Sequence, residues 1–428
     1  MFCAIDFGTS NSAIGVPGAR GEMELVELEP GERTMPTAVF YHAEAAPGSA
    51  SGPRSFGRAA IAAYVDGIDG RLMRSMKSLL GSKLLDQTTE VGGGRGVKYR
   101  DVIAGYLQHL KTCAQAHAGQ PIRRAMLGRP VFFVDDDSAR DALAQAALEA
   151  AAREVGFAEV HFQFEPIAAA LDYERGVSRE EIVLVADIGG GTSDFSVVRV
   201  GPRQRERRDR KPDILANHGV HSAGGDFDRR IELRALLPEL GFGALRPPRG
   251  GEPAREVPSR VYFDLATWHL INTVYTPQRV AELRAARRDY AHARHHERLM
   301  TTVTQRLGHD LAARAEAAKI ELASRGSARI DLGLVERGLL VSLTEAQMLD
   351  SIRAETESIV AAASATVAQA GLAAQGVDTL YFTGGSTGLR ALTEALAADY
   401  PAARVVRGDR FASVATGLGL FAQRWFSA

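Results

Sequence analysis

One stretch of this chain, residues 182–200 with the sequence IVLVADIGGGTSDFSVVRV, constrains its fold more than any other. Five apolar residues lead into Asp187, three glycines follow, and an apolar strand pattern resumes after Asp194. The pattern predicts a strand, a tight glycine turn and a returning strand. Glycines at such a turn let backbone N–H groups approach a bulky anion with no Cβ in the way.

The carboxylate just before these glycines indicates what kind of anion site this is. Asp187 would repel a phosphate that it touched directly. It fits a site in which Mg²⁺, held through water, lies between the carboxylate and the phosphate. The alternative is an ordinary glycine hairpin in a sheet, but few such hairpins carry an aspartate at the end of the strand.

The N-terminus repeats the same pattern. DFGTSNSAIGV, which begins at Asp6, matches DIGGGTSDFSVV, which begins at Asp187. Either copy alone is a weak signal, but two copies predict a duplicated domain whose copies face each other. We expect a phosphate tail to be held between the two hairpins.

Length and charge bound the class of protein. A chain of 428 residues is too long for one core, so two or three lobes are expected. The net charge of −1 gives no reason to expect binding to nucleic acid or to a membrane surface. Two cysteines fit a reducing cytosol, and neither a signal peptide nor an apolar run long enough for a bilayer is evident. We therefore expect a soluble cytoplasmic protein. We also expect it to be a monomer.

Three further motifs carry candidate functional residues. Glu165 and Pro166 open a helix after a strand, where α/β proteins place functional groups, although pairing with the helix dipole is an alternative role for Glu165. Lys77, in MKSLLG, reads on its own as a solvated surface lysine. The sequence TGGST at residues 383–387 would let a base and ribose lie against its glycines.

Other segments define the organisation of the chain. The mixed-charge run at 203–211 predicts a solvated hairpin loop. Residues 263–323 are patterned almost wholly as helix, which predicts a helical subdomain inserted in the second half. Thr344 and Gln347 predict a cap on a long helix that extends to about residue 370. Small residues at 414–421 predict a closely packed terminal helix.

In this order the motifs resemble the nucleotide-binding domain of the heat-shock protein 70 (DnaK-type) chaperones, in the actin-like ATPase superfamily. The motifs are DFGTSNS, MKSLLG, PVFFVDDDSARDAL, FEPIAAAL, DIGGGTSDFS, GGDFD and TGGST. The length, the extended helical insertion and the absent C-terminal part make the chain look closest to YegD-type chaperone-like proteins, which lack a substrate-binding domain. The resemblance implies an α/β chain with the actin-like ATPase fold, in which duplicated ribonuclease-H-like domains form two lobes around a central nucleotide cleft.

The resemblance also implies a division of the chain into domains. Lobe I would comprise residues 1–178, with a C-terminal helix at 412–428 returning to it. Lobe II would comprise residues 179–411, with the helical insertion at about 225–325. We expect no substrate-binding domain, so the usual clamping of a peptide cannot occur within this chain.

Carried over residue by residue, the resemblance implies a role for each site residue. The catalytic set is Lys77, Glu165, Asp187 and Thr192. The set that contacts nucleotide is Gly8, Thr9, Ser10, Asn11, Gly189, Gly190, Gly191, Asp194, Gly224, Gly225, Glu316, Lys319, Gly384, Gly385 and Ser386. Asp6 and Asp187 would organise Mg²⁺ through water, with K⁺ as a second cation, and the nucleotide would be ATP or ADP.

Two positions depart from the family pattern. Ile320 and Gly388 stand where two arginines would sandwich the adenine. Each lost guanidinium face removes stacking of about 1 kcal/mol. Together the two losses would weaken nucleotide binding by roughly tenfold or more, or relax the preference for adenine.

The leading hypothesis is a chaperone-type ATP-binding protein and weak ATPase that communicates its open or closed state to a protein partner or co-chaperone. A nucleotide-binding regulator or scaffold with weak or no turnover, and an actin-like filament-forming ATPase, remain alternatives. A small-molecule kinase would need a general base directed at a substrate hydroxyl and a sugar pocket between the lobes, and no motif for either is evident. A P-loop is excluded because the chain contains no Gly-Lys dipeptide.

Overall fold

The computed structural model describes residues 1–18, 22–44, 53–92, 94–134, 137–247, 255–409 and 412–426. Within these residues the strands are β1 Phe2–Phe7, β2 Asn11–Pro17, β3 Met23–Leu25, β4 Thr34–Pro36, β5 Ala38–His42, β6 Arg54–Phe56, β7 Gly70–Arg74, β8 Thr88–Glu90, β9 Gly96–Lys98, β10 Arg124–Arg129, β11 Glu159–Phe164, β12 Glu181–Ile188, β13 Ser193–Val200, β14 Ile214–Val220, β15 Ser327–Asp331, β16 Leu340–Thr344, β17 Thr379–Thr383 and β18 Arg404–Arg407. The α-helices are α1 Gly57–Val65, α2 Tyr99–Ala118, α3 Ser138–Glu154, α4 Glu165–Arg175, α5 Pro202–Arg205, α6 Gly224–Ile231, α7 Arg260–Leu265, α8 Pro277–Ala285, α9 Ala293–Thr304, α10 Gly308–Arg325, α11 Glu345–Ser351, α12 Arg353–Gln369, α13 Arg390–Ala398 and α14 Ser413–Phe426.

The chain forms two compact units. Unit 1 comprises Met1–Val220, Ala362–Thr387 and Leu396–Ala428, and unit 2 comprises His221–Ala361 and Gly388–Ala395. These boundaries differ from those of the lobes expected from the resemblance, because β12, β13 and β14 group with the N-terminal residues. The division into lobes at residues 178 and 179 therefore stays a prediction.

Unit 1 contains two large sheets with the same strand order. In the first sheet β1 pairs antiparallel with β2 and parallel with β10, giving the order β3-β2-β1-β10-β11, with β4 also on β2. In the second sheet β12 pairs antiparallel with β13 and parallel with β17, giving the order β14-β13-β12-β17-β18. Each sheet is thus built around one glycine hairpin. The duplication that the two hairpins predict is confirmed.

Helices α4 and α14 share one hydrophobic core with both sheets of unit 1. Ala4 of the first sheet and Val185 of the second belong to the same cluster of buried residues as these two helices. The helices touch closely, since a Cβ built on Gly417 would overlap the carbonyl group of Ala168. The predicted close packing of the terminal helix by small residues is confirmed, and α14 ends at Phe426 within the described residues. The shared core explains why both sheets fall in one unit.

The sequence predicted that the mixed-charge run at 203–211 is a solvated loop, but one of its arginines is buried. The side chain of Arg210 is 1% exposed, and its guanidinium lies 2.9 Å from Glu174 and 2.7 Å from Asp213. Glu174 also accepts a hydrogen bond from the backbone N–H of Gly201, at 3.0 Å. A buried arginine between two carboxylates thus ties the connection before β14 to the end of α4. Sequence alone missed it because the partner Glu174 lies on a distant element.

Unit 2 is largely helical, and the helical pattern predicted for residues 263–323 is confirmed by α7 to α10, with Pro277 beginning α8. The cap predicted at Thr344 is also confirmed, because its Oγ1 accepts a hydrogen bond from the N–H of Gln347. The single long helix expected after it is wrong: α11 ends at Ser351, and α12 begins at Arg353. None of the described helices is both long and apolar enough to span a membrane.

Candidate functional site

The loop of the first hairpin is fixed by the fold itself. Between β1 and β2, a Cβ on Gly8 would overlap the carbonyl oxygen of Asn11, so this position requires glycine. Thr37 holds the loop from the side: its Oγ1 donates to the carbonyl of Gly8 at 2.8 Å, and its N–H donates to the carbonyl of Ser10 at 2.9 Å. Local sequence did not indicate a role for Thr37, which lies in an apolar strand pattern.

The loop of the second hairpin is closed by its own polar groups. The N–H of Gly189 donates to the carbonyl of Thr192 at 2.9 Å, and the hydroxyl of Thr192 donates to Asp194 at 2.9 Å. Ser386 supports the loop from the turn after β17, because its hydroxyl donates to the carbonyl of Gly189 at 2.6 Å. Ser386 therefore positions a loop, whatever else it contacts.

Gly190 and Gly191 are not required to be glycine by the fold. Neither has a positive φ angle. In the described part of the chain, no atom of a non-neighbouring residue lies within 4 Å of a Cβ built on Gly191. The nearest such atom to a Cβ on Gly190 is Oγ of Ser10, at 3.8 Å. The two hairpin loops therefore face each other, and the second leaves open backbone that a ligand could approach closely.

The turn after β17 packs against the end of β12. Gly384 has a φ of 87°, and a Cβ there would lie 2.6 Å from Oδ1 of Asp187 and would overlap the carbonyl of Ile188. Gly385 begins a 3₁₀ turn, Gly385–Gly388. The glycine at 384 is thus needed for the turn to lie beside the carboxylate.

Lys77 and Glu165 form an ion pair in the interior of unit 1. Nζ of Lys77 donates to Oε1 of Glu165 at 2.5 Å, and the two side chains are 9% and 18% exposed. Lys77 lies on the short 3₁₀ turn Met76–Leu79, and Glu165 begins α4. The surface position that the local sequence of Lys77 favours is wrong, and the pairing with Glu165 adds a role beyond capping a helix dipole.

Carboxylates crowd around this ion pair. Burial, together with the charges of Glu165 and Asp187, raises the pKa of Asp6 to about 7 against the lowering effect of Lys77. Burial likewise raises the pKa of Asp187 to about 7, with Asp194 and Glu165 adding to the effect. Burial alone would lower the pKa of Lys77, but Glu165 and Asp6 raise it above its ordinary value, so the ammonium stays charged. One ammonium among four carboxylates leaves an excess of negative charge.

This excess fits a hard divalent cation, which prefers carboxylate and water oxygens. Among the described residues, no group of three or more His, Cys, Asp or Glu side chains is placed to hold a metal ion directly. The arrangement is thus suited to a cation held through water beside Asp6 and Asp187. This role for the two aspartates stays a prediction.

In unit 2, Lys319 on α10 is bound to α6. Its Nζ lies 2.8 Å from Oδ1 and 2.9 Å from Oδ2 of Asp228, and it also donates to the carbonyl of Gly224 at 3.2 Å. Gly225 and Glu316 are exposed, and Ile320 is 64% exposed. Asp228 is a further candidate residue that the sequence did not single out, although it lies in the GGDFD motif.

The structure thus brings several predicted residues together within unit 1. They are Asp6, Gly8, Thr9, Ser10, Asn11, Lys77, Glu165, Asp187, Gly189, Gly190, Gly191, Thr192, Asp194, Gly384, Gly385 and Ser386. In unit 2 it brings Gly224 and Lys319 together. The contacts of these residues with nucleotide stay predictions, as do those of Gly225 and Glu316.

Two facing glycine loops thus lie beside a lysine and a group of buried carboxylates in an α/β unit. The model of the Hsp70 protein family matches residues 2–234, which is more than half of the chain. The chain therefore belongs to the Hsp70 family, and its fold is the actin-like ATPase fold of that family. It is 32% identical over 231 residues to the chaperone protein DnaK of Thermosipho melanesiensis, covering 53% of this chain and 34% of that protein. The chain thus spans about a third of the length of this relative.

Proposed function

We propose that this protein binds ATP and ADP with Mg²⁺ and hydrolyses ATP slowly. The observation that carries the proposal is the open backbone at Gly190 and Gly191, which faces Ser10 of the other hairpin. Neither glycine is needed by the chain itself, so their lack of a side chain fits close approach by a bulky anion. The DnaK-like relationship agrees with a nucleotide as that anion.

Several residues of unit 1 would bind the phosphates. Backbone N–H groups of the second loop and the hydroxyls of Thr9, Ser10 and Thr192 would donate hydrogen bonds to them. Mg²⁺, when bound through water to Asp6 and Asp187, supplies positive charge beside the phosphate oxygens and lowers the barrier to their displacement.

Lys77 would stabilise the charge on the transferred phosphoryl group. Its ammonium stays protonated among the carboxylates, so it acts as a fixed positive charge and not as a base. Glu165 holds this ammonium in place at 2.5 Å. Together they would orient the water that attacks the phosphoryl group in line.

We propose that the residues that contact the nucleoside are Gly224, Gly225, Glu316, Lys319, Gly384, Gly385 and Ser386. Ile320 is 64% exposed and offers apolar contact but no charge to a base. We propose a weakened preference for adenine on this ground. The same observation favours a second candidate function, a nucleotide-binding regulator with weak or no turnover.

At the level of the cell, we propose a chaperone-type role in the cytoplasm, in which a protein partner or co-chaperone reads whether nucleotide is bound. A YegD-type protein is the finer proposal. Assembly into actin-like filaments is the alternative, and sedimentation with ATP separates it, because a filament former pellets and a monomer does not.

The decisive experiment measures ATP binding by calorimetry and ATP turnover in the presence of Mg²⁺. Three proteins are compared: the wild type, Lys77→Ala, and Lys83→Ala, a matched lysine that is exposed six residues further along the chain. We expect micromolar ATP binding by all three, with turnover reduced at least a hundredfold in Lys77→Ala alone.

Binding with no turnover in the wild type would establish the regulator instead. If the wild type binds no nucleoside triphosphate, the proposed function is wrong.

A further inference from the structure

The GGDFD motif contains a carboxylate that has been given no role so far. Asp228 lies in the second half of α6, and its Oδ2 accepts a hydrogen bond from Nζ of Lys319 on α10 at 2.9 Å. Its Oδ1 lies 2.8 Å from the same Nζ but accepts no hydrogen bond from the described residues. The side chains are 20% and 14% exposed. Such a partly buried ion pair is better fixed than one on the open surface.

The remaining contact of Lys319 is with the glycine turn that begins α6. Its Nζ donates to the carbonyl of Gly224 at 3.2 Å. Of the three donors of an ammonium group, two are thus used within the first two turns of α6, on Oδ2 of Asp228 and on the carbonyl of Gly224. The pair therefore fixes both the direction of the Lys319 side chain and its distance from the turn at Gly224 and Gly225.

A second carboxylate close by does not compete for this lysine. Glu232 follows Asp228 by one helical turn and begins a π-helical turn, Glu232–Leu236. It is 1% exposed, and within the described residues its Oε1 has no hydrogen-bond partner. Burial raises the pKa of Glu232 well above its ordinary value, and the charge of Asp228 raises it further. The ion pair of Lys319 is with Asp228.

We infer that Asp228 is a positioning residue for nucleoside recognition, which acts through Lys319 and does not itself touch the nucleotide. The inference rests on the proposed function, in which Lys319 and the turn at Gly224 and Gly225 line the nucleoside pocket. It assigns to Asp228 the task of holding these two parts of the pocket in a fixed relation.

The test is a double-mutant cycle on ADP binding, measured by calorimetry with Mg²⁺ at pH 8. Asp228→Asn is expected to raise the Kd of ADP at least fivefold in the wild-type background. In the Lys319→Met background the same change is expected to alter the Kd less than twofold, because the residue through which Asp228 acts is already gone. Glu321→Gln is the matched control, since Glu321 pairs with Arg325 at 2.8 Å on the exposed side of α10.

A pH profile gives a second readout that a merely structural role would not move. The charged groups facing Asp228 are Lys319 and Glu316 on α10, with Asp226 and Glu232 on its own side. Burial raises the pKa of Asp228 to about 6. In the wild type the Kd of ADP should therefore rise as the pH falls through 6, since protonation removes the charge that holds Lys319. In Asp228→Asn this component of the profile should be absent.

Each outcome decides the matter. If the wild type binds no nucleotide, the proposed function and this inference both fail. If it binds, and Asp228→Asn leaves the Kd unchanged or weakens binding equally in the Lys319→Met background, the inference alone is overturned. Should Asp228→Asn not fold, as judged by circular dichroism, Lys319→Met takes its place in the pH profile, because Asp228 acts through Lys319. A rise in the Kd at low pH that is as large in Lys319→Met as in the wild type, or a wild-type Kd constant between pH 5 and 8, would contradict the inference.

Discussion

The two glycine hairpins of unit 1 carry nearly the same sequence pattern but use their glycines differently. In the first hairpin, Gly8 must be glycine because a Cβ would overlap the carbonyl of Asn11. In the second hairpin, Gly191 has open space around its missing side chain. The same motif therefore serves the fold in one copy and fits a ligand in the other.

The carboxylates of the two hairpins differ as well. Asp6 of the first hairpin lies opposite Ala13 across the antiparallel pair of strands. Asp187 of the second lies directly opposite Asp194. Like charges at such a cross-strand position repel each other. The second hairpin therefore has an opposed pair of carboxylates that the first lacks, and a bound cation would relieve the repulsion within that pair.

The largest expected effect is on the first hairpin. Gly8→Ala should lower the free energy of unfolding by about 3 kcal/mol, because the new Cβ overlaps backbone that cannot move without disturbing β1 and β2. Urea denaturation checks it. Gly191→Ala is the matched control and should change stability by less than about 1 kcal/mol, while raising the Kd for ATP at least tenfold. Equal losses of stability in the two variants would remove the distinction between the hairpins.

The next effect in size concerns the opposed carboxylates. Asp187→Asn should raise the free energy of unfolding by about 2 kcal/mol at pH 8 in EDTA, because it removes a buried charge that faces Asp194. The folded-state pKa of Asp187 is raised to about 7, so the wild type gains stability relative to the variant as the pH falls. The difference between the two should be nearly gone at pH 4.

Thermal and urea unfolding of both proteins between pH 4 and pH 8 measure this difference. A wild type as stable as Asp187→Asn at pH 8 in EDTA would mean that the opposed charges are already relieved without a cation. The same variant should lose the stabilisation that Mg²⁺ and ADP give to the wild type, because the carboxylate that would hold the cation's water is gone.

The smallest expected effect concerns the hydroxyls that hold each loop. Thr37→Val should lower the free energy of unfolding by about 1 kcal/mol, because it removes a buried hydrogen bond to Gly8 and leaves Ser12 without its 2.8 Å partner. Thr192→Val in the second hairpin removes a hydrogen bond that is exposed. Thr192→Val should lower the free energy of unfolding by less than about 0.5 kcal/mol. A larger loss of stability in Thr192→Val than in Thr37→Val would contradict this prediction.

The parts of the fold and site that the sequence predicted are those coded by short stretches. Each hairpin, the helix that begins at Glu165 and the cap at Thr344 depend on residues within a few positions of one another. Lys77 shows the limit. Its own neighbours indicate a surface lysine, and only contact with Glu165, 88 residues further along the chain, makes it part of the site.

Residues that act across elements were not predictable in the same way. Thr37, Arg210 and Asp228 each bind a group that local patterns do not reveal. The family match also ends at residue 234, before α10 and Lys319. The pairing of Asp228 with Lys319 therefore came from the structure alone.

The contact between α4 and α14 has a mechanical consequence. Where Gly417 meets the backbone of Ala168, no side chain lies between the helices to absorb a shift by changing its rotamer. In β10, a Cβ on Gly128 would lie 3.1 Å from Leu418 of α14 and 3.2 Å from Cγ of Glu165. A displacement of α14 would therefore be transmitted to Glu165, the partner of Lys77, with little relaxation of the residues in between.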